Sequence, residues 1–148
     1  MGKQKIYLDN CCYNRPYDDQ QQIKIALETE AKLYIQQLVI DNNLDLVWSF
    51  MVSFENNNNP YVEQKTEIAT WRDIAKYDVE SNISIHQIAN RIAATGVKAT
   101  DSIHVACAIY ANCDYFITTD KRITKYVTDK IKIVTPIGFL DEWSDTSG

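Results

Sequence analysis

Long apolar runs are missing from this 148-residue chain, glycine and proline are scarce at four and three, and no cysteine pair has the spacing of a zinc or redox motif. The first absence excludes a membrane-spanning helix, which needs about 20 consecutive apolar residues. The second, with hydrophobic residues at 45% of the chain, argues against a disordered or fibrous polypeptide. Adjacent Cys11 and Cys12 make a poor disulfide, and Cys107 and Cys113 add no metal-binding pattern, so reduced and mostly packed thiols are expected. Positive charge is not in excess either: 20 acidic residues against 15 basic ones give a net charge of -5. That excludes broad binding of duplex nucleic acid through a basic face but leaves room for a local site. Met1 to Lys5 carries no signal-peptide core, so a soluble, cytoplasmic protein is expected. A chain of this length buries about two thirds of its unfolded surface without a disulfide or metal scaffold. One domain spanning residues 1–148 is therefore expected.

Short apolar runs ended by turn residues read as strands, and apolar residues recurring every three or four positions read as helices. Ile6-Tyr7-Leu8, closed by Asp9-Asn10, suits a strand buried on both faces. From Gln20 to about Ile40 the residues Ile23, Leu27, Ala31, Tyr34 and Leu38 predict an amphipathic helix closed by Asp41-Asn42-Asn43, after a loop over Arg15 to Asp19. Leu44 to Trp48 is a second strand, and Ser49 caps a helix through Glu55 that ends in Asn56 to Asn59 and Pro60. Tyr61 to Ala75 and Ile83 to Ala94 repeat the helical spacing, with Gly96 as the stop. Lys98 to Ala111 leaves so little polar face that a helix buried nearly all round is predicted. A third strand over Tyr115 to Thr118, a short helix near Ile123 to Val127 and a fourth strand over Ile131 to Val134 complete the pattern. Strands alternating with helices predict an α/β fold, a three-layer α/β/α sandwich around a parallel sheet.

In such sheets ligands bind beyond the carboxyl ends of the strands. The chain sends Asp9, Glu55 and Asp120 there, each soon after a strand, and a fourth acid, Asp101, opens the buried helix. Each taken alone fits a cap or turn role. Together they repel by roughly 1 kcal/mol per close pair even at water-like screening, and a divalent cation reverses that sign. An all-oxygen set suits Mg²⁺ or Mn²⁺, which polarise a phosphoryl oxygen and lower the pKa of a bound water.

These residues resemble the four acidic motifs of the PIN-domain family, over nearly the whole chain: Ile6 to Asn10, Phe54-Glu55, Ala99-Thr100-Asp101-Ser102-Ile103-His104-Val105-Ala106, and Thr118-Thr119-Asp120. That family has an α/β/α sandwich and includes metal-dependent ribonucleases, among them the VapC-like toxins of toxin-antitoxin pairs. The resemblance implies that Asp9, Asp101 and Asp120 are metal ligands and that Glu55 joins them directly or through water, with Thr118 supporting the last carboxylate. The chain departs from the family in having Cys11 two places after the first acid, where Asn or Ser is frequent. A thiol is the weaker hydrogen-bonding group, and Asn10 or Asn14 is the neighbour to take over its role.

The resemblance further implies a single-stranded RNA substrate cleaved by a metal-activated water, and an antitoxin protein and a second copy of the chain as partners. Arg15, Lys98, Lys121 and Arg122 flank the motifs and are candidate phosphate contacts. Tyr13 and Tyr17 are candidate base-stacking groups, and Tyr61, Trp71 and Tyr77 candidate partner contacts. His104 can share a helix face with Asp101, although a packed histidine is the expectation there. Two rivals stand beside the ribonuclease: a catalytically weak RNA-binding module with the same fold, and a phospho-acceptor signalling domain. The latter needs paired acids after strand one and a lysine at the last strand's end, and Asp9-Asn10 and Thr135-Pro136 supply neither.

Overall fold

The computed structural model describes residues 3–147. The chain opens with β1 (Gln4–Leu8), passes a short helix α1 (Asn10–Asn14) and a 3-10 turn (Arg15–Tyr17), and enters the long helix α2 (Ile23–Ile40). Next come β2 (Leu44–Ser49), α3 (Phe50–Asn57), α4 (Val62–Ile74), β3 (Tyr77–Val79), α5 (Ile83–Ala93) and α6 (Ala99–Tyr110). The last elements are β4 (Tyr115–Ile117), α7 (Lys121–Thr124), β5 (Lys132–Val134) and α8 (Pro136–Ser147). The strands form one sheet in the order β3-β2-β1-β4-β5, every pairing parallel. Moving from β1 outward to β3 and then back to β4 sends successive right-handed crossovers to opposite faces. Accordingly α2 and α8 pack together on one side, and α5 and α6 on the other. No helix among the described residues is long and apolar enough to cross a membrane.

The expected α/β/α sandwich is what the chain forms. Ile6, Tyr7 and Leu8 are fully buried, as are Val47, Phe116 and Ile117 on the neighbouring strands. Ser49 caps α3 by accepting from Val52 N, and Gly96 turns the chain between α5 and α6 at φ 106, a conformation that costs any other residue. The sheet has a fifth strand that the sequence reading lacks, β3, which lies at the edge with Tyr77 and Asp78 exposed. It makes Tyr115–Ile117 the fourth strand. Three helical segments also differ from expectation. Asp9 accepts from Asn10 N and so starts α1, a helix the sequence reading lacks, the short helix sits at Lys121–Thr124 because Asp120 caps it, and Pro136 opens α8 rather than merely ending a strand.

The buried face of α2 is a correction of a different kind. Ala31 and Leu38 are buried as expected, but Ile23 is 78% exposed and Leu27 and Tyr34 are exposed too, whereas Glu28, Lys32, Ile35 and Val39 face the protein. Arg15 draws Glu28 inward through an ion pair of 2.9 Å. Lys32 lies with its ammonium 5.9 Å from the Tyr13 ring centroid, and burial pushes its pKa down to about 8. Tyr13 is itself core, packed edge-on against Trp48, and so is not available to stack a base. Cys12, Cys107 and Cys113 are buried and all four cysteines are free thiols.

Candidate metal centre

The sheet order reverses between β1 and β4, and the site lies beyond their carboxyl ends, as such switch points dictate. Asp9 leaves β1 with its backbone N–H on Ile117 O at 2.9 Å, so β4 fixes where its side chain begins. The carboxylate is then held from several directions. Asn10 N donates to Oδ1 at 2.8 Å, Thr118 Oγ1 donates to Oδ2 at 2.8 Å, and Cys11 Sγ donates to Oδ2 at 3.5 Å. Thr118 thus grips the first carboxylate, while its hydroxyl accepts from Asp120 N at 3.0 Å and positions the last one through the backbone. The thiol of Cys11 also lies 3.4 Å from Thr118 Oγ1 and accepts from Thr119 N at 3.4 Å. Cys11 therefore makes the contacts between the first and last motifs itself, and Asn10 and Asn14 do not take over its role: Asn10 Oδ1 is buried without a hydrogen-bond partner, and Asn14 Nδ2 donates to Asn10 O.

Glu55 projects from α3, where the Ser49 cap sets the helix start. His104 meets it from α6. This imidazole is 1% exposed; Nε2 hydrogen-bonds Glu55 Oε1, Nδ1 lies 2.6 Å from Tyr7 Oη, and Tyr7 Oη lies 2.6 Å from Ser49 Oγ. A buried chain of polar groups so runs from the cap of α3 back to its Glu55. Burial alone pulls the imidazolium pKa down, but the hydrogen bond to Glu55 and the charges of Asp9, Glu55 and Asp101 outweigh it and hold His104 above the ordinary histidine value.

Ligand atoms of Asp9, Glu55 and His104 lie within 4.8 Å of one another, the group of that kind found among the described residues. Asp101 and Asp120 stand outside this group but within its field. The carboxyl of Asp101 is raised above the usual range, first by burial and then by the charges of Asp9 and Asp120. Asp120 is lowered by its hydrogen bonds to Arg122, whose Nη2 lies 3.1 Å from Oδ2. The arrangement therefore gathers the first acid and Glu55 tightly and the other two more loosely, with the carboxyl of Asp101 held above its usual range.

This set fits a hard divalent cation. Both nitrogens of His104 are engaged by Glu55 and Tyr7, so oxygen atoms are the available donors, and a cation relieves the repulsion that raises Asp101. Among the basic residues expected near the motifs, Lys98 and Arg122 line a cleft together with Asp101 and Lys125. Lys121 is close enough to Lys24 to hold that lysine below its ordinary pKa. Arg15 is engaged otherwise, its guanidinium paired to Glu28 and Asp18 at 2.9 Å each. His104 is the functional neighbour that sequence reasoning undervalued. Its signal is its place one turn after Asp101 on a buried helix, and it turns out to be both packed and bonded to Glu55.

No known family model and no curated protein matches the sequence. Among solved structures, the chain is similar to a crystal structure of VapBC2 from Rickettsia felis bound to a DNA fragment from their promoter, with a TM-score of 0.56 at 11% identity over 88% of this chain and 97% of that one. The fold is thus the PIN-like α/β/α sandwich, at low sequence identity to that neighbour.

Proposed function

We propose that this protein is an Mg²⁺- or Mn²⁺-dependent endoribonuclease of PIN type, in which residues 1–148 act as one domain in the cytoplasm and hydrolyse single-stranded RNA. The observation that carries the reading is the convergence of acids from motifs far apart in sequence at the switch point of a PIN-like sheet: ligand atoms of Asp9 and Glu55 lie within 4.8 Å, and Asp101 is raised by burial and by the charges of Asp9 and Asp120. Asp9, Asp101 and Asp120 would hold the cation and Glu55 would join directly or through water. When bound, it supplies Lewis-acid polarisation of a phosphoryl oxygen and a lowered pKa for water.

The protein's own groups do the positioning. Thr118 and Cys11 fix Asp9, so its oxygens need little reorganisation on binding a cation. His104 fixes Glu55, whose side chain stays 31% exposed and open to the cleft. Arg122 keeps Asp120 ionised. Lys98 and Arg122 stand on the side of the site where a flanking phosphate would be neutralised. An unpaired strand lets a phosphate reach recessed carboxylates, which favours single-stranded over duplex RNA. The likeness to VapBC2 favours a toxin held in check by an antitoxin protein, and the exposed Ile23, Leu27 and Tyr34 of α2 are apolar surface that such a partner or a second copy would cover.

The test is cleavage of single-stranded RNA by the purified protein. Cleavage with Mn²⁺, none in EDTA, and none by Asp101→Asn despite unchanged RNA binding is the expected result. Cleavage that persists in EDTA or in Asp101→Asn refutes the reading. RNA affinity with no cleavage under any metal is the result expected of the rival, a catalytically weak RNA-binding module.

A further inference from the structure

The two clefts beside the carboxylates differ in chemistry. One has Lys98, Arg122 and Lys125 around Asp101. The other, about 670 Å³ in volume, includes Glu55 in its lining and is walled by amides and phenols: Asn14, Asn58, Asn59, Gln64, Tyr17 and Tyr61. Among the described residues, its lining includes no lysine or arginine, and it carries the carboxylates of Asp18 and Glu55. Phosphate is unwelcome in such a place. A neutral group that both donates and accepts hydrogen bonds and has a flat face is matched to it, and the volume is that of a small-ligand site.

The walls are built rather than incidental. The asparagine run that follows Glu55 is a braced turn between α3 and α4: Asn56 Nδ2 donates to Lys65 O at 2.9 Å, and Asn59 Oδ1 accepts from Tyr61 N at 3.0 Å. Asn59 Nδ2 then reaches across to Asn14 Oδ1 at 3.3 Å, tying this turn to the helix that follows Asp9. Tyr17 is pinned through its hydroxyl, which donates to Glu67 Oε2 at 2.5 Å, and still leaves 37% of its surface exposed; Tyr61 leaves 64%. Side-chain amides read the edges of bases, and tyrosine rings stack on base faces.

We propose that this cleft is a nucleobase subsite, which receives an unpaired base of the RNA strand next to the scissile phosphate and gives the protein its sequence preference. Tyr61 and Tyr17 supply the stacking faces, and Gln64, Asn58 and Asn59 read the base edge. The strand then runs from the cationic cleft, which holds phosphate, across the carboxylates to the amide cleft, which holds a base. This assignment rests on the nuclease reading for its place beside a cleavage site, but base recognition is measurable without cleavage.

The probes are the four RNA homotetranucleotides, bound in EDTA so that none is cut, with affinity read by fluorescence anisotropy. The wild-type protein is expected to discriminate among them at least fivefold. Tyr61→Ala should weaken the preferred one by about tenfold, Tyr61→Phe should retain it, and Gln64→Ala should flatten the discrimination, whereas Lys125→Ala should weaken all four equally. Tyr61 is exposed, so its variants report on the cleft rather than on folding, and circular dichroism checks this. Equal affinity of the wild type for all four, no binding of any, or discrimination unchanged in Tyr61→Ala and Gln64→Ala overturns the assignment, as does occupation of this cleft by a partner protein with no base selectivity. The same probes with Mn²⁺ separate the two readings: selective binding without cleavage sinks the nuclease and leaves the subsite, while cleavage with a base preference indifferent to both variants sinks the subsite and leaves the nuclease.

Discussion

Lys32 offers a test in which the magnitude comes directly from where the fold has put a charge. The ammonium is buried on the inner face of α2 near the Tyr13 ring, and its pKa falls from 10.5 to about 8. A lowered amine pKa means that the folded state disfavours the charged form. The cost is fully present below the folded pKa of about 8, diminishes as pH rises toward 10.5, and is gone above it. A shift of that size corresponds to about 3 kcal/mol at neutral pH, from which the attraction to the tyrosine face, about 0.5–1 kcal/mol, is lost on substitution. Lys32→Met keeps the length of the side chain and removes the charge, so it should stabilise the protein by about 2 kcal/mol at pH 7, a rise in melting temperature of roughly 4–8 °C for a chain of this size. Urea denaturation of both proteins from pH 6 to pH 10.5 measures the difference, which should shrink as pH rises beyond 8. A variant less stable than the wild type at pH 7, or a gap that does not close with pH, refutes the reasoning.

Other outcomes follow from the site itself. Asp101→Asn should raise the melting temperature in EDTA, because the carboxyl is held above its usual range by burial and by Asp9 and Asp120, and should lose the stabilisation that Mn²⁺ gives the wild type; calorimetry with and without metal reads both. Thr118→Val, nearly isosteric, takes the buried donor from Asp9 and the acceptor from Asp120 N, and should cost about 2 kcal/mol in urea denaturation, with Thr118→Ser restoring most of it. His104 is held above the ordinary histidine value, so its contribution to stability is complete below about pH 6.5 and is lost as pH rises through the folded value. Metal-free wild type should therefore exceed His104→Gln most below pH 6.5, and a gap that widens with rising pH contradicts the assignment.

Much of this fold is legible in residues whose neighbours agree with them. Ile6-Tyr7-Leu8 and Leu44 to Trp48 are continuous apolar runs because the central strands are covered on both faces, and Gly96 reads as a helix stop because its positive φ suits glycine. Tyr77-Asp78-Val79 escapes such reading, being three residues long at the sheet edge with only Val79 buried. On α2, periodicity of apolar residues is only partly right: Ala31 and Leu38 are buried, but Ile23, Leu27 and Tyr34 are exposed while inward positions carry Glu28 and Lys32, whose pairing with Arg15 and Tyr13 is a tertiary fact. The site divides similarly. Asp9 and Asp120 are visible as acids ending strands, and Ser49 reveals the helix that carries Glu55. That Thr118 grips Asp9 as well as the backbone of Asp120, and that His104 ties Glu55 to Tyr7, depends on β1, β4, α3 and α6 meeting in space.

Anomalous diffraction from a crystal soaked in Mn²⁺ bears most directly on the central claim. The account predicts a peak beyond the carboxyl ends of β1 and β4, with oxygens of Asp9, Asp101 and Asp120 closing to roughly 2.1–2.2 Å, the distance expected of a small hard cation. A peak elsewhere, or none at saturating Mn²⁺ with Asp101 and Asp120 left apart from Asp9, contradicts it.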